Sequence, residues 1–171
     1  QLGSAELAAM TFTFPVVLMI GSLSMGMGMG IISVVSRALG AQDRERAKRM
    51  ITDGLLLSVV VALVSTTAGI SSMEFIFHSL GADGEVLNLV HQYMYTWFFA
   101  VPFVVLTMAG NNVIRATGDT LTPSLIMGLT VLVNVVLDPL LIFGIGPFPE
   151  MGIQGAALAT VLARVCALFL A

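Results

Sequence analysis

The sequence predicts an all-α polytopic membrane protein with about five transmembrane helices, and three observations carry that prediction. The 171 residues are 57% hydrophobic and only 10% charged, with a mean hydropathy of +1.00, whereas a soluble domain carries roughly a quarter charged residues. Charge-free stretches occupy 7–36, 54–73, 86–114 and 120–137, each near or beyond the roughly 18 apolar residues of a spanning candidate. None of them shows the alternation over about ten residues that marks a strand of a membrane barrel.

Composition also excludes several functions. Seven Lys and Arg against ten Asp and Glu give a net charge of -3, which offers no basic excess to hold a nucleic acid. Cys166 is the only cysteine and His78 and His91 are the only histidines, so neither a disulfide framework nor a zinc centre is expected. No Ser, Cys or His has the partners of a catalytic triad, and the chain does not read as an enzyme.

The first helix is expected over 7–39, ended by Gly40. It contains Gly21, Gly26, Gly28 and Gly30 with Met25, Met27 and Met29 between them. Gly26 and Gly30 form a small-xxx-small pair and are the expected helix-packing residues, with the thioethers as an alternative soft apolar wall. The second helix, 44–73, has Asp43 as its cap and carries RERAKR in its first turns before the membrane begins near Asp53. The third, 86–114, bears Tyr93, Tyr95, Trp97, Phe98 and Phe99, a candidate aromatic wall or packing cluster, and Asn111 and Asn112 for bonds to other helices. Gly118, Asp119, Thr120, Thr122 and Pro123 signal the turn into the fourth helix, 120–143. A fifth, 152–171, is interrupted only by Arg164.

Charge placement predicts orientation. Arg37, Arg44, Arg46, Lys48 and Arg49 lie between the first two spans and Arg115 between the third and fourth, while the alternate connections carry Glu74, Asp83, Glu85 and Glu150. The basic connection 37–49 is therefore expected in the cytoplasm and residue 1 outside. With no signal peptide to send residue 1 there, an upstream crossing is expected, and both ends look cut from a longer polypeptide. Besides setting topology, the basic connection has lipid or partner contact as a further reading. His78 falls in an expected outer loop, His91 near the outer membrane edge, and Cys166 is expected to pack or face lipid.

The fourth helix is the most informative. Thr130, Asn134 and Asp138 recur at i, i+4 spacing and share one face. Pro139 has no N–H and leaves the Val135 carbonyl without its helical donor. A hydroxyl, an amide, a carboxyl and a carbonyl gathered in an apolar setting suit a dehydrated monovalent cation or a proton-exchanging carboxyl. The plainer alternative is that Asp138 lies at the interface and Asn134 bonds a neighbouring helix. Arg164, about a dozen residues into the last helix, would cost roughly 2.5–3.5 kcal/mol in lipid and should face protein or a wet cavity, as a counter-charge or in a structural ion pair.

The stretches 36–43 (SRALGAQD), 115–119 (RATGD), 134–144 (NVVLDPLLIFG) and 152–160 (GIQGAALAT) resemble, in order and spacing, the amino-terminal half of multidrug and toxic compound extrusion (MATE) transporters, most of all the DinF-like prokaryotic branch. The resemblance implies a twelve-helix fold of two six-helix bundles. In it the chain would supply helices 2 to 6, with the first helix and the second bundle absent. It implies an ion and proton site built from an acid on the missing first helix, Asn134, Asp138 and, as the sixth-helix partner, Thr160. It also implies a secondary antiporter in the cytoplasmic (inner) membrane that exports cationic amphipathic drugs or toxins in exchange for Na+ or H+, with no other cofactor. A lipid-linked oligosaccharide flippase of the same superfamily is one alternative, although Arg164 is the sole intramembrane cation for a cavity that should be strongly cationic. A non-transporting scaffold, in which Asn134 and Asp138 only join helices, is another.

Overall fold

The computed structural model describes residues 4–81, 84–144 and 152–170. Five helices follow one another: α1 (Ser4–Gly40), α2 (Arg44–Ser79), α3 (Gly84–Ala116), α4 (Leu121–Ile142) and α5 (Gly152–Leu170). Among the described residues no strand occurs. The spans α1 to α4 are each long and apolar enough to cross a membrane, whereas the apolar part of α5, Gln154–Phe169, is shorter.

Capping residues set the helix ends. At Gly40 the chain leaves α1 through Gln42, whose φ of 58° is left-handed, and Asp43 then receives the backbone N–H of Arg46 at 2.9 Å to start α2. At the other connection the cap is Asp119 rather than Thr120, whose side chain makes no cap bond. The Asp119 carboxylate accepts the N–H groups of Leu121 and Thr122, each at 3.0 Å, and the Thr122 hydroxyl at 2.6 Å. These bonds, those from Thr122 foremost, hold its carboxyl below the ordinary carboxylate range. Gly118, with φ of 95°, occupies the left-handed position that ends α3 and that a side chain would strain.

The second helix is longer than expected. It continues past residue 73 to Ser79, so His78 lies in its last turn and not in a loop. Its 36 residues extend about 54 Å at about 1.5 Å each, well beyond a hydrocarbon thickness of about 30 Å. Both polar ends, RERAKR and the turns around Glu74, can therefore stand clear of the apolar layer while remaining helical. The end of an apolar run marks the end of a membrane crossing, whereas the helix itself needs only continued hydrogen bonding.

The hub is α3, which packs against α1, α2 and α5, while α4 leans chiefly on α5. Phe77, Val90, Met94, Trp97, Phe98, Val101 and Val105 form the main core with Val16, Ile20 and Ala62. A smaller cluster of Ile31, Val35, Ala109 and Ala116 closes the opposite end of the α1–α3 seam. There the Ser36 hydroxyl donates to the Ala116 carbonyl at 3.3 Å, which brings the end of α1 to the end of α3. The basic connection and Arg115 thus share one end of the bundle, as charge parity predicts. Outward faces are apolar, with Leu56, Leu57, Val60 and Leu63 on α2 and Leu125, Leu129, Leu132 and Val136 on α4 all exposed.

Close helix approach occurs at glycines other than the expected pair. Gly26 and Gly30 face open space among the described residues, whereas a β-carbon on Gly28 would fall on the Asn112 amide and one on Gly69 would fall on the Phe98 ring. Two residues along a helix rotate the side-chain direction by about 200°, so the contact goes to the opposite face from the small-xxx-small pair.

Candidate functional site

Near the connection between α4 and α5, a β-carbon on Gly155 would meet the Leu141 carbonyl. The two helices therefore approach with backbone nearly against backbone, and they run antiparallel from that point. Counting about 1.5 Å per residue away from the contact sets Thr160 about 7.5 Å along α5, with Asp138 about 4.5 Å and Asn134 about 10.5 Å along α4. Thr160 thus sits at a level between the two.

On α4 the three expected polar residues share one face but differ in state. Thr130 is buried, and its hydroxyl donates back to the Ile126 carbonyl at 2.7 Å, which occupies its proton within its own helix. Asn134 is half-buried, and its side-chain oxygen is enclosed with no hydrogen-bond partner among the described residues. Such an orphaned acceptor costs about 1–3 kcal/mol, a cost that a donor or a cation would offset. Asp138 is half-buried one turn further on. It forms no ion pair, since Lys48 with Glu45 is the single salt bridge among the described residues. Val135 points its side chain outward.

Two neighbouring helices complete the surroundings. Tyr93 of α3 lies within electrostatic reach of the Asp138 carboxylate. The aromatic cluster expected on α3 divides into separate parts. Trp97 and Phe98 are core residues, Tyr95 and Phe99 form an exposed edge-on pair at 5.4 Å, and Tyr93 is half-buried against the edge of that core. From α5, the Thr160 hydroxyl donates to the Ala156 carbonyl at 3.0 Å, so its proton is held within its own helix and only its oxygen is left to accept. Arg164, one turn beyond Thr160, is half-buried, and its carbonyl accepts from Thr107 of α3 at 3.4 Å.

Other expected polar positions fall elsewhere. Asn111 is buried and its side-chain oxygen has no partner among the described residues, so that atom makes no inter-helix bond to them, and Asn112 fills the space above Gly28. His91 encloses its Nε2 without a partner beside Gln92, Tyr95, Thr96 and Gln154. Cys166 is an exposed free thiol. Glu150 and the Pro147 and Pro149 connection lie outside the described residues. Among the described residues no group of His, Cys, Asp and Glu could hold a metal by its own ligands. The described side chains thus place one half-buried carboxylate, Asp138, one helical turn from the enclosed amide oxygen of Asn134 on α4, with the Thr160 hydroxyl on the neighbouring α5.

Comparison with known proteins gives a consistent result. A family model described as MatE matches residues 1–140. The chain is 45% identical over 170 residues to a protein of Shewanella oneidensis named as an FAD transporter, covering 99% of this chain and 38% of that protein. Solved structures titled as the inward-facing and outward-facing conformations of a multidrug resistance MATE family transporter of the MOP superfamily each align with a TM-score of 0.92. They are 33% and 34% identical, and the alignments cover 98% and 99% of this chain but 37% of theirs. The chain therefore spans less than two fifths of the length of the relatives that it matches, and its helices superpose equally well on either conformation.

Proposed function

The chain belongs to the MATE family, whose matched relatives include multidrug efflux transporters, and from that premise we propose that it forms the amino-terminal part of a secondary antiporter that exports cationic amphipathic compounds in exchange for Na+ or H+. The observation that carries the coupling role is the enclosed, unpartnered oxygen of Asn134 one helical turn from Asp138. An entering cation or proton would bind Asp138, with Asn134 supplying the acceptor, Tyr93 lying across the site and Thr160 set at the intervening level. The close α4–α5 approach at Gly155 would transmit the change in charge to the neighbouring helix.

Coupling requires that the ion bind one conformation better than the other. Each cation that enters across about 100 mV supplies about 2.3 kcal/mol, enough for roughly a fifty-fold gradient of a neutral solute. Export of a monovalent cation one for one would cancel this electrical contribution and leave the chemical gradient. The orientation in this reading places the 37–49 connection in the cytoplasm and residue 1 outside, within the inner membrane.

The 45% identity to a protein named as an FAD transporter favours a second substrate reading, in which the exported solute is an anionic flavin dinucleotide and its own charge movement adds to that of the entering ion. Both readings are tested in vesicles containing the full-length transporter, loaded with either a fluorescent organic cation or FAD, under separately imposed Na+ and H+ gradients. Gradient-driven efflux that vanishes in Asp138→Asn while the protein remains folded supports coupling at Asp138, and the transported probe identifies the substrate class. Efflux unchanged by Asp138→Asn would overturn the coupling role.

A further inference from the structure

On the outer side of the α1–α2 pair, two hollows adjoin one another at the basic end of the bundle. The first, about 260 Å3, is lined by Val34, Arg37, Ala38, Ala41, Arg46 and Met50. The second, about 320 Å3, shares Val34 and Met50 with it and runs on past Gly30, Ile31, Gly54 and Leu57 to Met27 and Ser58. Together they form a groove with two guanidinium groups at one end and walls that are apolar along the rest except at Asp53 and Ser58. Gly30 keeps the floor open, since nothing stands where its β-carbon would project.

We propose that this groove holds an anionic phospholipid of the leaflet on the basic side, with its phosphate between Arg37 and Arg46 and one acyl chain along Val34, Gly30 and Leu57. Two arguments favour that occupant. The first is charge. Arg37 is tethered to Ser33, its Nε donating to the carbonyl at 3.1 Å and its Nη2 to the hydroxyl at 2.9 Å, which leaves further donors for a phosphate. Among the described residues neither Arg37 nor Arg46 has a carboxylate within ion-pairing distance. Lys48 is taken by Glu45, and Asp43 is engaged as the α2 cap. Asp53 borders the deeper hollow and repels an anion there, which confines the phosphate to the arginine end.

The second argument is depth. Ten residues separate Arg37 from Met27 along α1, about 15 Å at 1.5 Å per residue, which equals one leaflet of a hydrocarbon layer about 30 Å thick. A transmembrane helix as occupant would need a continuous seat through both leaflets. The hollow in the opposite half of this face, lined by Val16, Leu23, Ala68 and Phe98 among others, shares no residue with the basic one.

The test is native mass spectrometry of the full-length transporter, with phosphatidylglycerol titrated against phosphatidylcholine. Wild type should retain one phosphatidylglycerol in preference to phosphatidylcholine. Arg37→Gln and Arg46→Gln should each weaken retention roughly fivefold, the size expected for one basic residue at an anionic surface, while Arg44→Gln, outside the groove, should not. Gly30→Leu, which fills the acyl seat and leaves every charge in place, should abolish retention. Equal retention of the two lipids by wild type, or retention unaffected by either arginine change, would overturn the assignment. Retention undiminished in Gly30→Leu would also overturn it, because another part of the polypeptide would then be filling the groove.

Discussion

Gly155 of α5 lies so close to Leu141 of α4 that a β-carbon on the glycine would overlap the leucine carbonyl. This single approach fixes the separation of the two helices that carry Asn134, Asp138 and Thr160. Backbone cannot yield as a side chain can, so Gly155→Ala should destabilise the transporter by about 1–3 kcal/mol, the usual cost of overpacking. Gly28→Ala displaces only the Asn112 amide and should cost less. Thermal unfolding of both variants in the same detergent checks the order. Equal effects would mean that the α4–α5 approach is not the tighter constraint.

Asn134 separates a coupling role from a scaffold role. A scaffold would use the amide to join helices, yet its oxygen has no partner among the described residues. Asn134→Leu should therefore leave thermal stability unchanged or slightly raised, since it removes an unsatisfied buried acceptor. It should also reduce the stabilisation conferred by the coupling ion, which reaches about 2.7 kcal/mol for a ligand at a hundred times its dissociation constant. Melting curves with and without Na+, at two pH values, measure both quantities. A large loss of stability with no change in ion response would favour the scaffold.

Asp119 predicts an acid-sensitive start to α4. Its folded carboxyl lies below the ordinary value of 3.8 through its bonds to Thr122 and Leu121, so its contribution is present above that value and disappears as the pH falls below it toward the lower folded value. Asp119→Asn keeps an acceptor at the cap and removes the titration. The variant should show a flatter dependence of melting temperature on pH below about 4 than wild type. Identical slopes would place the acid sensitivity elsewhere.

The fold was largely legible in the sequence because uncharged runs long enough to span a bilayer have few alternative structures. All five helices lie where the apolar runs lie, and Asp43 caps α2 as its position before RERAKR suggests. The misses share a cause. Gly28, Gly69 and Gly155 approach other helices while, among the described residues, Gly26 and Gly30 do not, and which face of an almost wholly apolar helix meets protein is not encoded in its periodicity. The site was half legible. Asn134 and Asp138 share a face through spacing on one helix, but the approach of Tyr93 depends on how α3 crosses α4, which local sequence does not specify. The signal that could have drawn attention to it was a phenol on a span with no carboxylate of its own.

The relation of Tyr93 to Asp138 yields the last prediction. If the phenol acts through the carboxylate, removing its hydroxyl should change the ion dependence of transport only while the carboxylate is present. Tyr93→Phe keeps the ring and its packing, and should alter the apparent ion affinity about fivefold, or about 1 kcal/mol, within the range of coupling between neighbouring groups. In an Asp138→Asn background the same change should have no further effect on ion response, a non-additivity expected of groups in one network. Ion-dependent stabilisation of the four proteins of this cycle provides the measurement, and it does not require that the substrate be known. Fully additive effects would show that Tyr93 supports the helix packing and plays no part at the acid.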